Sequence, residues 1–156
     1  MGSGYIRKCG NCGYKHHIIE GIGMMDYYGW YFLPPSNKDS RWKDVIKSKR
    51  ILKEIEEIIV NYSGKLYQET IDNEKIGIPY VYGWKEYYSN EEKVIYNLFH
   101  FKLEYLKDGV KKIYEPIYYD KHRKPLRILG ETEYVNDVCP KCGSEFDMYF
   151  EFVNWD

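Results

Sequence analysis

Cys9-Gly10-Asn11-Cys12-Gly13 stands near one end of this sequence and Cys139-Pro140-Lys141-Cys142-Gly143 near the other. The chain holds four cysteines, and these two CxxCG motifs use all of them. In a CxxC turn two thiolates project from one tight loop toward one point, and backbone amides after the first Cys face its sulfur. The Gly that follows can take the positive φ that closes the turn. Pro140 fixes the entry to the second turn. Two such turns supply the four sulfurs of a tetrahedral site, the arrangement of a closed structural zinc centre. This feature constrains the fold before any other, because residues more than a hundred positions apart must become neighbours.

The expectation is one structural Zn2+ held by Cys9, Cys12, Cys139 and Cys142, with iron as the rival metal. A thiol-disulfide exchange pair fits less well. One CxxC would suffice for exchange, and neither motif opens a helix after a strand in the thioredoxin manner. His16 and His17 follow the first motif and are candidates to extend the ligand set. Adjacent strand residues point to opposite faces, so one at most would face the metal, and four thiolates already complete it.

Residues 5–14 and 138–143 resemble the two knuckles of zinc ribbons and equally those of rubredoxins, which pair a CxxCG-aromatic turn with a CPxCG turn. A rubredoxin resemblance implies one iron and electron transfer. The sequence departs from that pattern, since 126 residues lie between Cys12 and Cys139 where a rubredoxin has a short connection. A spacer of that length reads as a domain inserted into a ribbon. The chain also resembles a group of small uncharacterised bacterial proteins that begin with CxxCG and a Gly-rich stretch, here Glu20-Gly21-Ile22-Gly23-Met24-Met25. Members of that group often carry another cysteine pair before a segment like Asn97–Leu103. Tyr82-Gly83-Trp84-Lys85-Glu86 holds none, and the resemblance brings no function with it.

At 156 residues the chain suits one domain. Its formal charge of -1 moves to about -3 once four thiolates hold one divalent ion. That balance excludes a general basic grip on nucleic acid and leaves room only for a local patch. Arg7 and Lys8 lead into Cys9 without an apolar run, and no stretch of eighteen apolar residues occurs, so neither a secretory signal nor a membrane span is expected. A cytoplasmic protein is the reading. Tyrosine is the outlier, with 18 residues, and its apolar body and polar tip suit sheet faces, interfaces and base stacking alike.

The predicted fold class is α+β: a zinc ribbon formed by the two termini, residues 5–20 plus 134–153, with an inserted region 21–133 inside a single domain 1–156. The insertion is expected to be an antiparallel sheet packed by one main helix, about 40–62. That helix starts near Asp39 or Ser40, repeats Trp42, Val45, Ile46, Leu52, Ile55, Ile59 and Tyr62 at three- and four-residue steps, and ends at Gly64. Residues 65–90 read as mostly loop, with a short helix near Tyr67. Phe99, Phe101, Leu103 and Tyr105 alternate with polar residues, and Asp108-Gly109 supplies a hairpin turn to a partner strand 111–119. Short strands follow at 126–129 and 145–153.

No catalytic signature is present: Gly21-Ile22-Gly23 lacks the third glycine of a dinucleotide fingerprint, and there is no P-loop, HExxH or GxSxG. His100 and His122 stand alone. The favoured reading is a non-enzymatic, zinc-stabilised binding protein that recognises another protein through aromatic-rich loops, with Tyr27, Tyr28, Trp30 and Tyr31 as its first candidate surface. The alternative is a nucleic-acid-binding module using the basic-aromatic segment 118–127, with Tyr118, Tyr119, Lys121, Arg123, Lys124 and Arg127. A rubredoxin-like electron carrier is the third reading. No membrane partner is expected.

Overall fold

The computed structural model describes residues 2–20, 31, 33–72, 82–130, 138–146 and 150–155, and all structural statements below concern these. They form two compact units. One is built from Met1–Met25, Trp84–Leu98 and Ile117–Asp156, the other from Asp26–Gly83 and Phe99–Pro116. Both combine distant stretches of chain, and the fold is a mixture of few helices and several antiparallel sheets.

In the first unit, β1 (Gly2–Lys8) leads into the first cysteine turn and β2 (Lys15–Glu20) leads out of it. They pair antiparallel, with Arg7 opposite His16 and Lys8 opposite Lys15, so the turn closes a hairpin. β8 (Phe150–Trp155) lies on the other edge of β1, giving the order β2-β1-β8. A strand from the end of the chain thus pairs with one from its beginning. A second sheet has the order β4-β3-β7, from β3 (Tyr82–Ser89), β4 (Val94–Phe101) and β7 (Arg127–Ile128). Tyr87 and Tyr118 are buried here in an edge-to-face contact with centroids 5.1 Å apart.

This unit is larger than a ribbon of residues 5–20 and 134–153, and side chains beside the first cysteine turn supply the reason. The Tyr14 hydroxyl accepts the amide N–H of Ile95 at 2.9 Å. The His16 Nε2 lies 2.9 Å from the Glu86 carboxylate, with both side chains buried. The carbonyl of His17 accepts a hydrogen bond from the Asn97 amide. The cysteine hairpin is therefore bonded into β3 and the start of β4.

The second unit holds α1 (Trp42–Val45), α2 (Lys49–Asp72) and the hairpin of β5 (Leu103–Lys107) with β6 (Val110–Tyr114). The single helix expected at 40–62 is in fact two. Ile46 turns extended, at φ -110 and ψ 119, and Ser48 starts a fresh helix whose Ile51 N–H reaches the Ser48 hydroxyl at 3.4 Å. A serine hydroxyl that accepts the N–H three residues on is a capping arrangement, and it competes with a continuous helix. Gly64 does not end α2. Glycine costs about 1 kcal/mol against alanine inside a helix, and Lys65, Leu66, Gln68 and Glu69 after it are strong helix formers that offset this.

The core of this unit is an aromatic chain. Tyr31 stacks on Phe99 at 5.7 Å and meets Trp42 edge-on at 5.0 Å, Trp42 lies 4.7 Å from Phe101, and Phe101 lies 5.9 Å from Tyr114. The Trp42 indole N–H donates to the Tyr31 carbonyl at 2.9 Å, which satisfies its one polar atom inside the core. Ile46, Ile51 and Ile55 are fully buried with them. Asp108 and Gly109 both take positive φ, 53° and 76°, as a two-residue type I′ hairpin turn requires. The segment 82–89, expected to be loop, is a strand that pairs with β7 through Tyr87 and Tyr88, and Gly83 and the adjacent tyrosines hide any period-two pattern in its sequence.

Phe101 is fully buried and packs against three other rings, Trp42, Phe99 and Tyr114, so Phe101→Ala should cost about 3–5 kcal/mol. Val60 is 64% exposed, and Val60→Ala should stay within about 0.5 kcal/mol. Urea unfolding of the two variants beside the parent chain measures both.

Candidate metal centre

The two cysteine turns repeat each other bond for bond. In the first, Gly13 N–H donates to the Cys9 carbonyl at 2.8 Å and Cys9 N–H to the Tyr14 carbonyl at 2.9 Å. In the second, Gly143 N–H donates to the Cys139 carbonyl at 2.9 Å and Cys139 N–H to the Ser144 carbonyl at 2.7 Å. Gly13 and Gly143 sit at φ 72° and 75°, the left-handed conformation that lets the chain turn back after the second cysteine. The Asn11 amide donates to the Ser144 hydroxyl at 3.0 Å, a direct bond from one turn to the other.

All four sulfurs lie within 4.8 Å of one another. The short approaches run between the turns, Cys9 to Cys142 at 3.5 Å and Cys12 to Cys139 at 3.6 Å. A disulfide requires about 2.05 Å, and all four thiols are free. A tetrahedron with metal-sulfur bonds of about 2.3 Å has edges of about 3.8 Å, so the sulfurs stand near the corners that such an ion would impose. The donor set fits a four-thiolate metal site. Cys9 and Cys139 are buried with Phe146, packed by Tyr14, while Cys12 and Cys142 face solvent.

Their surroundings pull the thiols apart. Burial pushes Cys139 up to about 12, whereas the Ser144 amide and then the Ser144 hydroxyl hold Cys142 down to about 6. A divalent ion held by these four cysteines would bring all of them to the thiolate form and offset the clustering of their charges. Neither histidine joins the cluster among the described residues: His16 pairs with Glu86, and His17 is exposed.

Two features here escaped the sequence. Arg7 is buried, with its guanidinium 4.8 Å above the Phe146 ring, opposite His16 in the β1-β2 ladder. Glu86 is the other, a buried carboxylate inside an aromatic strand. The alternation of Lys85-Glu86-Tyr87-Tyr88 names no inward face, so only the partner His16 could have flagged it.

The candidate binding residues divide. Tyr31 is a core residue, stacked between Phe99 and Trp42, and Tyr118 is a core residue against Tyr87, so neither forms a surface. Their planar bodies filled interior space that the sequence had no means to place. Tyr27, Tyr28 and Trp30 lie outside the described residues. Tyr119, Lys121, Arg123, Lys124 and Arg127 are all exposed, and they gather at one turn. Asp120 builds that turn: its Oδ1 accepts the N–H of His122 and of Lys124, both at 2.9 Å, and its Oδ2 accepts the Ser89 hydroxyl at 2.8 Å. Arg123 takes φ 61° at the apex. Lys121 reaches Glu92 at 3.0 Å.

The chain matches no protein-family model, no curated protein and no solved structure. No helix among the described residues is long and apolar enough to cross a membrane.

Cys12→Ser or Cys142→Ser should lower bound metal from one equivalent per chain to well below one and unfold or open the protein, with strong chelation of the parent doing the same. Elemental analysis together with a melting curve reads both, and a metal-free chain with an unchanged melting temperature would contradict the expectation. Burial alone would raise the Asp120 pKa, but the Lys124 amide, the Ser89 hydroxyl and the His122 amide outweigh it and hold it below its ordinary 3.8. A carboxylate depressed in the folded state stabilises fully above its ordinary pKa and loses that contribution as pH falls through the folded value. Asp120→Asn should therefore be less stable than the parent at neutral pH, with the gap closing below about pH 4 in acid-unfolding curves.

Proposed function

We propose that this is a non-enzymatic binding protein of a reducing compartment such as the cytoplasm, its two ends joined by one structural Zn2+, and that it meets its partner through the exposed turn at residues 119–127. The convergence of four thiols from both ends of the chain, none in a disulfide, supports the metal. Iron suits the same four sulfurs. Zinc is the better reading because a joint between distant chain ends is best held by an ion with no redox change and no geometric preference of its own. The long insertion between the turns points the same way.

One observation carries the choice of surface: of the candidate residues that are described, those on the basic turn are exposed, while Tyr31 and Tyr118 are interior. A protein partner was the favoured expectation and nucleic acid its alternative. An exposed turn of lysine and arginine fits an acidic or phosphate-bearing ligand in either class, and moves the contact away from the aromatic loop of residues 27–35.

The test is retention from a lysate of the native host on the immobilised chain, with and without nuclease, beside a variant carrying Arg123→Glu and Lys124→Glu. Material held by the parent and released by the variant is the expected result. Identical retention by both would remove the turn as the contact surface.

A further inference from the structure

We infer that this turn and the strand leaving it bind single-stranded nucleic acid, with bases stacked along Tyr119 and Tyr88–Arg127 and phosphates held by Arg123, Lys124 and Arg127. The inference rests on the turn being the contact surface proposed above.

Strand pairing carries it. Residues directly opposite in an antiparallel pair share one face, and so do residues two apart on an extended strand. Tyr119 pairs with Pro125, and Arg127, two residues on from Pro125, pairs with Tyr88. Tyr119, Pro125, Arg127 and Tyr88 therefore form one row on one face. The opposite face carries Tyr118, Leu126 and Tyr87, with Leu126 N–H donating to the Tyr118 carbonyl at 2.8 Å and Tyr118 and Tyr87 buried.

The exposed row thus alternates aromatic, imino acid, guanidinium and aromatic. Tyr119 is 49% exposed, Pro125 and Arg127 are exposed, and Tyr88 is half-buried beneath the Arg127 guanidinium, 5.8 Å from its ring centroid. Planar groups of this kind stack on unpaired bases whatever the sequence. Arg123 and Lys124 stand at one end of the row, on a turn that Asp120 fixes from within, and Arg127 lies in the row itself, so little ordering is needed when phosphates arrive.

The surrounding charges limit the footprint. Lys121 is paired with Glu92, and Glu91 is exposed nearby on the β3-β4 turn, with exposed Lys93 to balance it. Arg123, Lys124 and Arg127 are exposed, and they are the cations proposed to meet phosphate. A duplex, whose bases are already stacked inside, would offer them phosphates but nothing to the tyrosines. An acidic peptide would use the cations and leave the aromatic row idle.

Fluorescence anisotropy of the zinc-loaded chain with a labelled 12-nucleotide oligo-dT, a duplex of equal length and a poly-glutamate competitor tests this at about 50 and 200 mM salt. Three phosphate contacts predict a slope of log affinity on log salt near -2, so binding should weaken about 20-fold across that range. Tyr119→Ala should weaken it about 10-fold. Arg123→Gln with Lys124→Gln should flatten the slope to roughly -0.7. All three side chains are exposed, and unchanged metal content confirms that the variants fold. Absence of binding at low salt, a duplex bound as tightly as the single strand, equal displacement by poly-glutamate, or indifference to Tyr119→Ala would each overturn the inference. If the glutamate variant loses nuclease-resistant material from lysate while the oligonucleotide is ignored, the contact surface stands and nucleic acid falls as its ligand.

Discussion

Everything in the cysteine-bearing unit depends on four sulfurs from opposite ends of the chain meeting at one point. Closing so long a loop is entropically unfavourable, although the cost grows only with the logarithm of loop length. Structural zinc in small peptides supplies on the order of 10–16 kcal/mol of apparent folding free energy, which is as large as the whole net stability of a typical domain. The β1-β8 pairing also joins the two ends, but its six register pairs of backbone would do so weakly beside an ion held by all four thiolates. The two turns are built alike because each must bring two sulfurs to one ion with their amides already satisfied.

The buried polar groups beside the centre act on uniqueness more than on stability. Removing charges from water costs several kcal/mol each, so Arg7, His16 and Glu86 are poor stabilisers taken alone. Their value lies in register. A slip of one residue between β1 and β2 would turn His16 to solvent and carry His17 inward, leaving Glu86 buried without its imidazole partner. Such a slip would also misalign the cysteine turn that this hairpin closes. The His16–Glu86 contact and the cysteine cluster thus penalise the same error from two sides, and Phe146, beneath the Arg7 guanidinium and against Cys9 and Cys139, lies between them.

How much of this could be read from sequence varied with the range of the forces involved. The cysteine turns, the Asp108-Gly109 hairpin and the strands either side of Cys9 and Cys12 were legible because short-range spacing and backbone preference decide them. The helix was misread at both ends: Ser48 caps a new helix within the polar run 47–50 that the apolar repeat steps over, and Gly64 is overruled by its neighbours. Burial of aromatics was not legible at all. Nothing local distinguishes Tyr118, in the core, from Tyr119, half in solvent; only the pairing of Tyr119 with Pro125 and the packing of Tyr118 on Tyr87 separate them.

That single alternation is what turns a composition into a surface. Eighteen tyrosines in a chain of net charge -1 suggest neither a basic nor a stacking protein in particular. Once strand pairing sends Tyr118 inward, Tyr119 and Arg127 must face out, and Asp120 must turn its carboxylate back into the fold to hold the loop. The one acidic residue of the turn is thereby withdrawn from its surface, while the basic ones stay on it. A segment whose formal charge is partly cancelled in sequence is therefore more positive, where a ligand would meet it, than its composition indicates. The bonds that hold this turn run through the Asp120 carboxylate, so its exposed side chains can differ in sequence without breaking them, and that is why recognition is proposed there and not at the sulfurs.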